Sequence, residues 1–275
     1  MFDAIARFGF DYAVNEEFAP QIERLTGISI DAAHRYGRPM GPQPAESVLV
    51  CYGGDGTLLD GIHRLGGAEI PVIGINSGHL GFLTSVPRNG CIGDVFELIA
   101  AGKLECQPRS MLEVTGDFGD GISTRYAVNE VVIQRQGAGM ISVETYVNDQ
   151  MVATYQRRRT DRQHADRLDG LFAQRRAVRV VAPQCSLPGA LARRAPQPDD
   201  ARPVVIPSSS DVRLKVHARH AEISIATDNE TCPIPEGAEF RVRLASRRFF
   251  LAVPHNISFY DTLRKKMMWG VDIRS

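Results

Sequence analysis

The sequence predicts an α/β domain built on a parallel sheet, followed by a β-rich, β-sandwich-like domain. Three observations carry that expectation: a strand, glycine turn and helix around Gly53–Thr57, a change near Pro108 to short β-branched segments, and an amphipathic stretch close to the end. The first domain is expected over residues 1–108, joined by a C-terminal helix at 257–269, and the second over residues 109–256.

The elements follow in order. Met1-Phe2-Asp3-Ala4-Ile5 already reads as helix. Ser47-Val48-Leu49-Val50-Cys51-Tyr52 is short, apolar and β-branched, as a strand buried on both faces of a parallel sheet would be. Leu58, Leu59, Ile62 and Leu65 then recur at helical spacing until Gly66-Gly67 stops them, and Pro71 to Asn76 reads as a second parallel strand. This is a βαβ unit. Its turn holds Gly53, Gly54 and Gly56, expected to bend through φ > 0 and to let backbone N–H groups approach an anion at the helix N-terminus. Asp55 cannot ligate phosphate there, since like charges repel, so it is expected to hold a metal or accept a proton.

Two further strings sharpen the reading. Gly74-Ile75-Asn76-Ser77-Gly78-His79-Leu80-Gly81-Phe82-Leu83 is a second glycine-rich loop at a strand end, where ligands gather in open α/β sheets. Asn129-Glu130 interrupts the apolar run Tyr126–Ile133 with a polar pair that is costly to bury unless something hydrogen-bonds to it. In this order the strings resemble the signatures of the NAD kinase family: a GGDGT turn, a GIN-x-G-x-LGFL loop and an NE pair. The resemblance extends over most of residues 15–156 and 203–269.

That resemblance implies transfer of the γ-phosphate of ATP, or in some members of inorganic polyphosphate, to the 2′-hydroxyl of the adenosine ribose of NAD, giving NADP. Asp55 matches the family's proton acceptor, with Gly53, Gly54, Gly56 and Thr57 beside it in the substrate site, and Asn129 and Glu130 match the NAD-binding pair. A positioned carboxylate of this kind contributes about 10²–10⁴-fold to phosphoryl transfer from a poorly nucleophilic hydroxyl. A divalent metal, Mg²⁺, is expected to travel with the ATP phosphates, because the sequence shows no dedicated cage of carboxylates. NAD is then substrate, and a homo-oligomer is expected.

Composition narrows the field. The 275 residues suffice for two cores, and a formal net charge of zero gives no global steering toward nucleic acid or membrane. No apolar run approaches a membrane span and no leader-like N-terminus is visible, so a cytoplasmic location is expected. Cys51, Cys91, Cys106, Cys185 and Cys232 are widely spaced and odd in number, which argues against a disulfide framework or a zinc site. His217 and His220 would point to opposite faces of a strand, so no metal site is assigned.

After an amphipathic helix carrying Ile92, Val95, Phe96 and Ile99, the pattern becomes β. Strand-like segments stand at Met111–Thr115, Arg125–Ile133, Ser142–Asn148, Val212–Val216, Glu222–Thr227, Phe240–Leu244 and Phe249–Val253, with turns at Val147-Asn148-Asp149-Gln150 and Pro235-Glu236-Gly237. The final helix can be capped by Ser258 with Asp261 three residues on, and its stripe of Phe259, Leu263 and Met267 is expected to pack on the first domain.

Two features depart from the family pattern. Members usually open with a strand and a glycine-bearing turn; here the first strand is expected to be missing, Met1 to be an internal start, and one edge of the sheet to be exposed. The second departure lies at 157–202, where the family carries a D-G pair and then T-P-T-G-S-T-A-Y, while this chain has eight arginines between Arg157 and Arg179. Written in permitted codons and read one base on, Arg157–Phe172 becomes G-D-G-L-I-V-S-T-P-T-G-S-T-A-Y. Pro188–Arg202 likewise becomes L-V-L-S-P-V-A-P-H-N-L-T-M-R, and the frame is normal again by Pro203. We infer compensating frameshifts. The stretch is expected to be disordered and open to trypsin, and the chain as written to be impaired, since lost ligand hydrogen bonds cost about 1–3 kcal/mol each.

Other readings are separable. Lipid kinases and phosphofructokinase-like enzymes share a GGDG turn, but lipid kinases place P-x-G-T-x-N-D after the next strand, where this chain has Gly74-Ile75-Asn76-Ser77-Gly78. A noncatalytic nucleotide-binding or interaction protein derived from the family would bind without phosphorylating NAD. A nucleic-acid loop at the arginine run would bind with a steep salt dependence, yet no aromatic residues interleave there to stack bases.

Overall fold

The structure is a computed structural model and describes residues 1–38, 40–78, 81, 83–84, 86, 92–136, 140–157, 177–181, 190–194, 204–219 and 222–254. It divides into two compact units, Met1–Pro108 with the chain from Phe249, and Arg109–Arg248. The first unit is α/β with a parallel sheet, and the second is β-rich.

In the first unit, α1 (Phe2–Phe8) ends on Gly9, whose φ of 68° places it in the left-handed region that suits glycine. β1 (Val14–Asn15), α2 (Ala19–Thr26), a short 3-10 turn (Ala32–His34) and β2 (Arg35–Tyr36) come next, with β1 and β2 forming a separate parallel ladder. The βαβ unit then appears as β3 (Leu49–Gly53), α3 (Asp55–Arg64) and β4 (Pro71–Asn76), followed by α4 (Ile92–Ala100). Among the described residues β3 pairs with β4 alone, in parallel, from Leu49 opposite Val72 to Gly53 opposite Asn76. Both strands therefore end at one edge, where the glycine turn and the glycine loop leave them.

Two contacts fix α3. A Cβ added to Gly61 would stand 2.6 Å from Cys51 Sγ, so helix and strand approach as closely as glycine permits. In the same last turn, buried Arg64 donates from Nη2 to Glu17 at 2.7 Å and from Nε to Asp60 at 2.8 Å, with its guanidinium over the Phe18 ring. Burial disfavours the charge, but the hydrogen bonds to Asp60 and Glu17 outweigh it and raise the pKa of Arg64. Ile73, Ile75, Val86, Val95 and Ala252 form a core cluster of this unit.

The chain enters the second unit along β5 (Leu104–Gly116). There follow β6 (Thr124–Ala127), β7 (Glu130–Gln136), β8 (Met140–Val147), β9 (Gln150–Arg157), β10 (Ala177–Val181), β11 (Ala190–Arg194), β12 (Val204–Pro207), β13 (Val212–Arg219), β14 (Glu222–Thr227), β15 (Glu230–Ile234) and β16 (Glu239–Pro254). One sheet runs β12-β11-β10-β7-β14-β15, and β16, β13, β8 and β9 neighbour one another in a second. A single core draws on both, with Val131, Ile133 and Ile225 from the first and Val143, Leu214 and Phe240 from the second. The turn expected at Val147–Gln150 is a two-residue hairpin with Asn148 at φ 50° and Asp149 at φ 61°, residue types that tolerate this region.

Three differences from the sequence reading have physical causes. Arg125–Ile133 is two strands, because β6 pairs with β5 while β7 pairs with β10 and β14, leaving Val128-Asn129 between. Phe240–Leu244 and Phe249–Val253 belong to one strand, β16: Glu239–Val242 pairs with β13, and Phe250 and Leu251 pair in parallel with Pro71 and Val72. Its polar Ser246-Arg247-Arg248 looked like a break, but a ladder is made by the backbone. Within the stretch expected to be disordered, β10 and β11 form strands for the same reason: Val131 and Ile133 of β7 offer a partnered edge to Val180 and Val178.

The helix expected at 257–269, and Arg158–Phe172, His79, Leu80, Phe82 and His220, lie outside the described residues. Among the described residues, no helix is long and apolar enough to cross a membrane.

Candidate functional site

The turn between β3 and α3 holds the first group of expected site residues. Gly54 precedes the helix in extended conformation, φ −98° and ψ −172°, and Asp55 opens it. Gly53, Gly54 and Gly56 do not adopt the positive φ expected of them. Their lack of a side chain serves space instead. A Cβ on Gly53 would collide with the Thr57 side chain, whereas one on Gly54 or Gly56 would meet nothing within 4 Å among the described residues. The first position lets the strand turn sharply into the helix; the other two place exposed backbone without a side chain at a helix N-terminus, where an anion is favoured.

Asp55 is tied to the second loop. Its Oδ1 accepts from Leu83 N at 3.1 Å, Thr84 N at 3.0 Å and Thr84 Oγ1 at 3.1 Å. Asn76, buried at the end of β4, donates from Nδ2 to Thr84 Oγ1 at 3.0 Å and accepts at Oδ1 from Gly78 N at 2.7 Å. Gly81 explains why this loop needs glycine: its N–H donates to Thr84 Oγ1 at 3.1 Å, and a Cβ there would fall on Asp55 Oδ1 and Thr84 Oγ1. Thus Gly53, Asp55, Thr57, Asn76 and Gly81 gather into one arrangement, as the two strings suggested. Thr84 was not foreseen, for it follows the loop as an ordinary hydroxyl residue.

Asn129 and Glu130 stand in the second unit, where β6 gives way to β7. The polar pair does find hydrogen bonds, through its backbone: Asp228 accepts from Val128 N at 2.7 Å, Asn129 N at 2.7 Å and Glu130 N at 3.0 Å. Asp228 N in turn donates to Glu130 O at 2.9 Å. Asp228 lies at φ 55° in the turn between β14 and β15, a conformation Asp tolerates better than most residues. Three successive amides around one carboxylate form a nest, and Asp228 fills it. Asp228 was not singled out in the sequence, because nothing in it says which amides the carboxylate meets.

No group of three or more His, Cys, Asp or Glu side chains able to hold a metal occurs among the described residues. His217, examined as a possible ligand, pairs its Nε2 with Glu144 Oε1 at 3.1 Å. Cys51 and Cys232 are buried free thiols, and Cys106 is an exposed one.

A strand, glycine turn and helix that present a carboxylate and exposed glycine backbone, in a chain with a separate β-rich unit, suit a nucleotide-dependent phosphotransferase. The profile of the ATP-NAD kinase N-terminal domain matches residues 16–103. The NAD kinase of Porphyromonas gingivalis is 33% identical over 239 residues, covering 82% of this chain and 77% of that protein. The NAD kinase of Methylibium petroleiphilum is 32% identical over 246 residues, covering 81% and 75%. Yeast NADH kinase, solved in complex with NADH, shares the fold with a TM-score of 0.72 at 17% identity, covering 99% of this chain and 85% of that one. An NAD kinase from Archaeoglobus fulgidus, solved in complex with ATP, does so with a TM-score of 0.59 at 18% identity, covering 94% and 98%. The chain belongs to the NAD kinase family.

Proposed function

We propose that the chain transfers the γ-phosphoryl group of ATP to the 2′-hydroxyl of the adenosine ribose of NAD, with Asp55 as proton acceptor. The observation that carries this is a carboxylate held by hydrogen bonds from Leu83 and Thr84 at the head of a helix, with exposed Gly54 and Gly56 on either side of it. In the reaction, the ribose 2′-oxygen forms a bond to Pγ, the bond from Pγ to the β,γ-bridging oxygen breaks, and ADP leaves with that oxygen. The proton of the hydroxyl passes to the Asp55 carboxylate. Such transfers depend mainly on positioning and charge stabilisation, which suits a site made of rigid turns.

Gly54 and Gly56 offer backbone to phosphate, and Thr57 lies beside them at the start of the helix. Asn129 and Glu130 hold the dinucleotide. Magnesium enters as part of the ATP substrate, where it neutralises phosphate charge; a resident cage is not needed for that role.

The test is formation of NADP from NAD and MgATP by the chain and by Asp55→Asn, which keeps the shape and removes the base. A fall of about 10²–10⁴-fold in kcat is expected, and a fall below tenfold overturns the assignment. Polyphosphate in place of ATP reads the donor. The same assay on a chain with Arg157–Arg202 rewritten in the shifted frame and an N-terminal strand added measures what those changes bring; the rewritten chain is expected to be the faster, and equal rates would refute the frameshift inference.

A further inference from the structure

The hold on Asp55 runs largely through one residue. Thr84 is fully buried and, of the three hydrogen bonds that Asp55 Oδ1 accepts from Leu83 and Thr84 among the described residues, supplies two, one from its amide and one from its hydroxyl. A hydroxyl has one proton and two lone pairs. Backbone amides and the Asn76 amide nitrogen only donate, and an ionised carboxylate only accepts, so the direction of each bond is fixed. Both lone pairs of Thr84 Oγ1 take donors, Asn76 Nδ2 at 3.0 Å and Gly81 N at 3.1 Å, and its proton goes to Asp55 at 3.1 Å. The hydroxyl is saturated. Through it, the last residue of β4 and the first residue of α3 are locked together, and the Thr84 methyl fills space that glycine at position 74 leaves, where an added Cβ would stand 2.8 Å from it.

We propose that Thr84 is a positioning residue that sets the orientation of the Asp55 carboxylate for accepting the ribose proton. This rests on the reading of Asp55 given above. A carboxylate at a helix start can swing about two side-chain torsions, and misplacing a reacting group by about 1 Å can cost about 10²-fold. Three donors on one oxygen remove that freedom before substrate arrives. Asn76 acts on the same hydroxyl from the other side, so a buried polar chain, not the helix alone, aims the carboxylate.

Thr84→Ser keeps the hydroxyl and loses a methyl, whereas Thr84→Val keeps the shape and loses the hydroxyl. NADP formation gives kcat and KM for NAD, and amide hydrogen exchange at Leu83 and Thr84 reports whether their bonds to Asp55 persist. Thr84→Val is expected to lower kcat about 10–100-fold while KM for NAD moves less than about threefold, and to speed exchange at both amides about tenfold. Thr84→Ser should stay within about threefold of the parent in both readouts. In an Asp55→Asn background, Thr84→Val should cost less than about a further threefold in kcat, since a residue acting through Asp55 has nothing left to position. Full additivity in that background, equal damage from Ser and Val, or unchanged exchange in Thr84→Val would overturn the proposal. If the parent is too slow to assay, the same variants are compared in the chain rewritten over Arg157–Arg202; if Asp55→Asn is harmless there, the catalytic reading fails, and exchange alone then decides whether Thr84 holds the carboxylate.

Discussion

Asp55 and Asp228 each gather more than one backbone amide from a distant stretch of chain, and the two arrangements are built in opposite ways. At Asp55 the carboxylate sits in the glycine turn itself and reaches 28 and 29 residues along the chain to the amides of Leu83 and Thr84. At Asn129-Glu130 the residues that look functional supply amides, and the carboxylate comes from Asp228, 98 to 100 residues away. In the first case the motif residue makes the hydrogen bonds; in the second it receives its shape from elsewhere. A motif residue near a β-break can therefore owe its geometry to a partner that no local pattern reveals.

The sharpest way to break the first arrangement is Gly81→Ala. The added Cβ would fall on Asp55 Oδ1 and Thr84 Oγ1, so either the loop lifts or the carboxylate turns away. We expect kcat for NADP formation to fall by about 10² or more, the scale of a misplaced catalytic group, with KM for NAD changed much less. Gly41→Ala is the control, because Gly41 lies outside the site and its Cβ would meet nothing within 4 Å among the described residues. Equal losses for the two variants would show that close approach at Gly81 is not what holds the site.

The second arrangement is tested by setting Asp228→Ala beside Asn129→Ala. Removing the carboxylate leaves three amides without their acceptor, and hydrogen bonds to charged groups are worth about 1.5–3 kcal/mol each, though not additively. Asp228→Ala should thus destabilise the chain by about 2–4 kcal/mol in denaturant unfolding. Asn129→Ala should change stability by less than about 1 kcal/mol while weakening NAD binding about tenfold in calorimetric titration, as loss of a ligand hydrogen bond would. The reverse result would make Asn129 the brace and Asp228 dispensable.

How much of this was legible follows from where the information lies. The βαβ unit was readable because its strands, helix and turn are contiguous, and the periodicities of Ser47–Tyr52 and of Leu58, Leu59 and Ile62 change at the glycines. The reason for those glycines was misread: composition alone does not separate a positive φ from a close approach, and Gly53 proves to need room for Thr57. In the second unit the polar pair was visible, but not the strand break beneath it. Val128 and Val131 on either side share one apolar run, and only pairing to different partners divides it. Thr84 and Asp228 escaped for one reason: a single Thr or Asp carries no pattern, and its role exists only after residues far apart in sequence are brought to hydrogen-bonding distance.

The smallest effect concerns the packing under the Asp55 turn. Cys51 lies beneath α3 against Gly61, and burial, helped by the Asp60 charge, pushes its thiol up to about 12 from an ordinary 9.0. The neutral thiol is thus favoured in the folded chain, while the unfolded chain releases the proton near pH 9. Stability from this group is complete below that pH and is lost as pH rises toward 12, because only the unfolded state gains by ionising. Between pH 9 and 10 the loss integrates to about 1 kcal/mol, at 1.36 kcal/mol per pKa unit. Cys51→Ala removes the titration but leaves every other ionisable group, so comparing it with the parent cancels the rest of the alkaline response. The parent's unfolding free energy should fall about 1 kcal/mol more steeply than the variant's over that interval. Parallel curves would mean that Cys51 ionises as readily folded as unfolded, and that α3 does not sit as tightly on β3 as the contact between Gly61 and Cys51 requires.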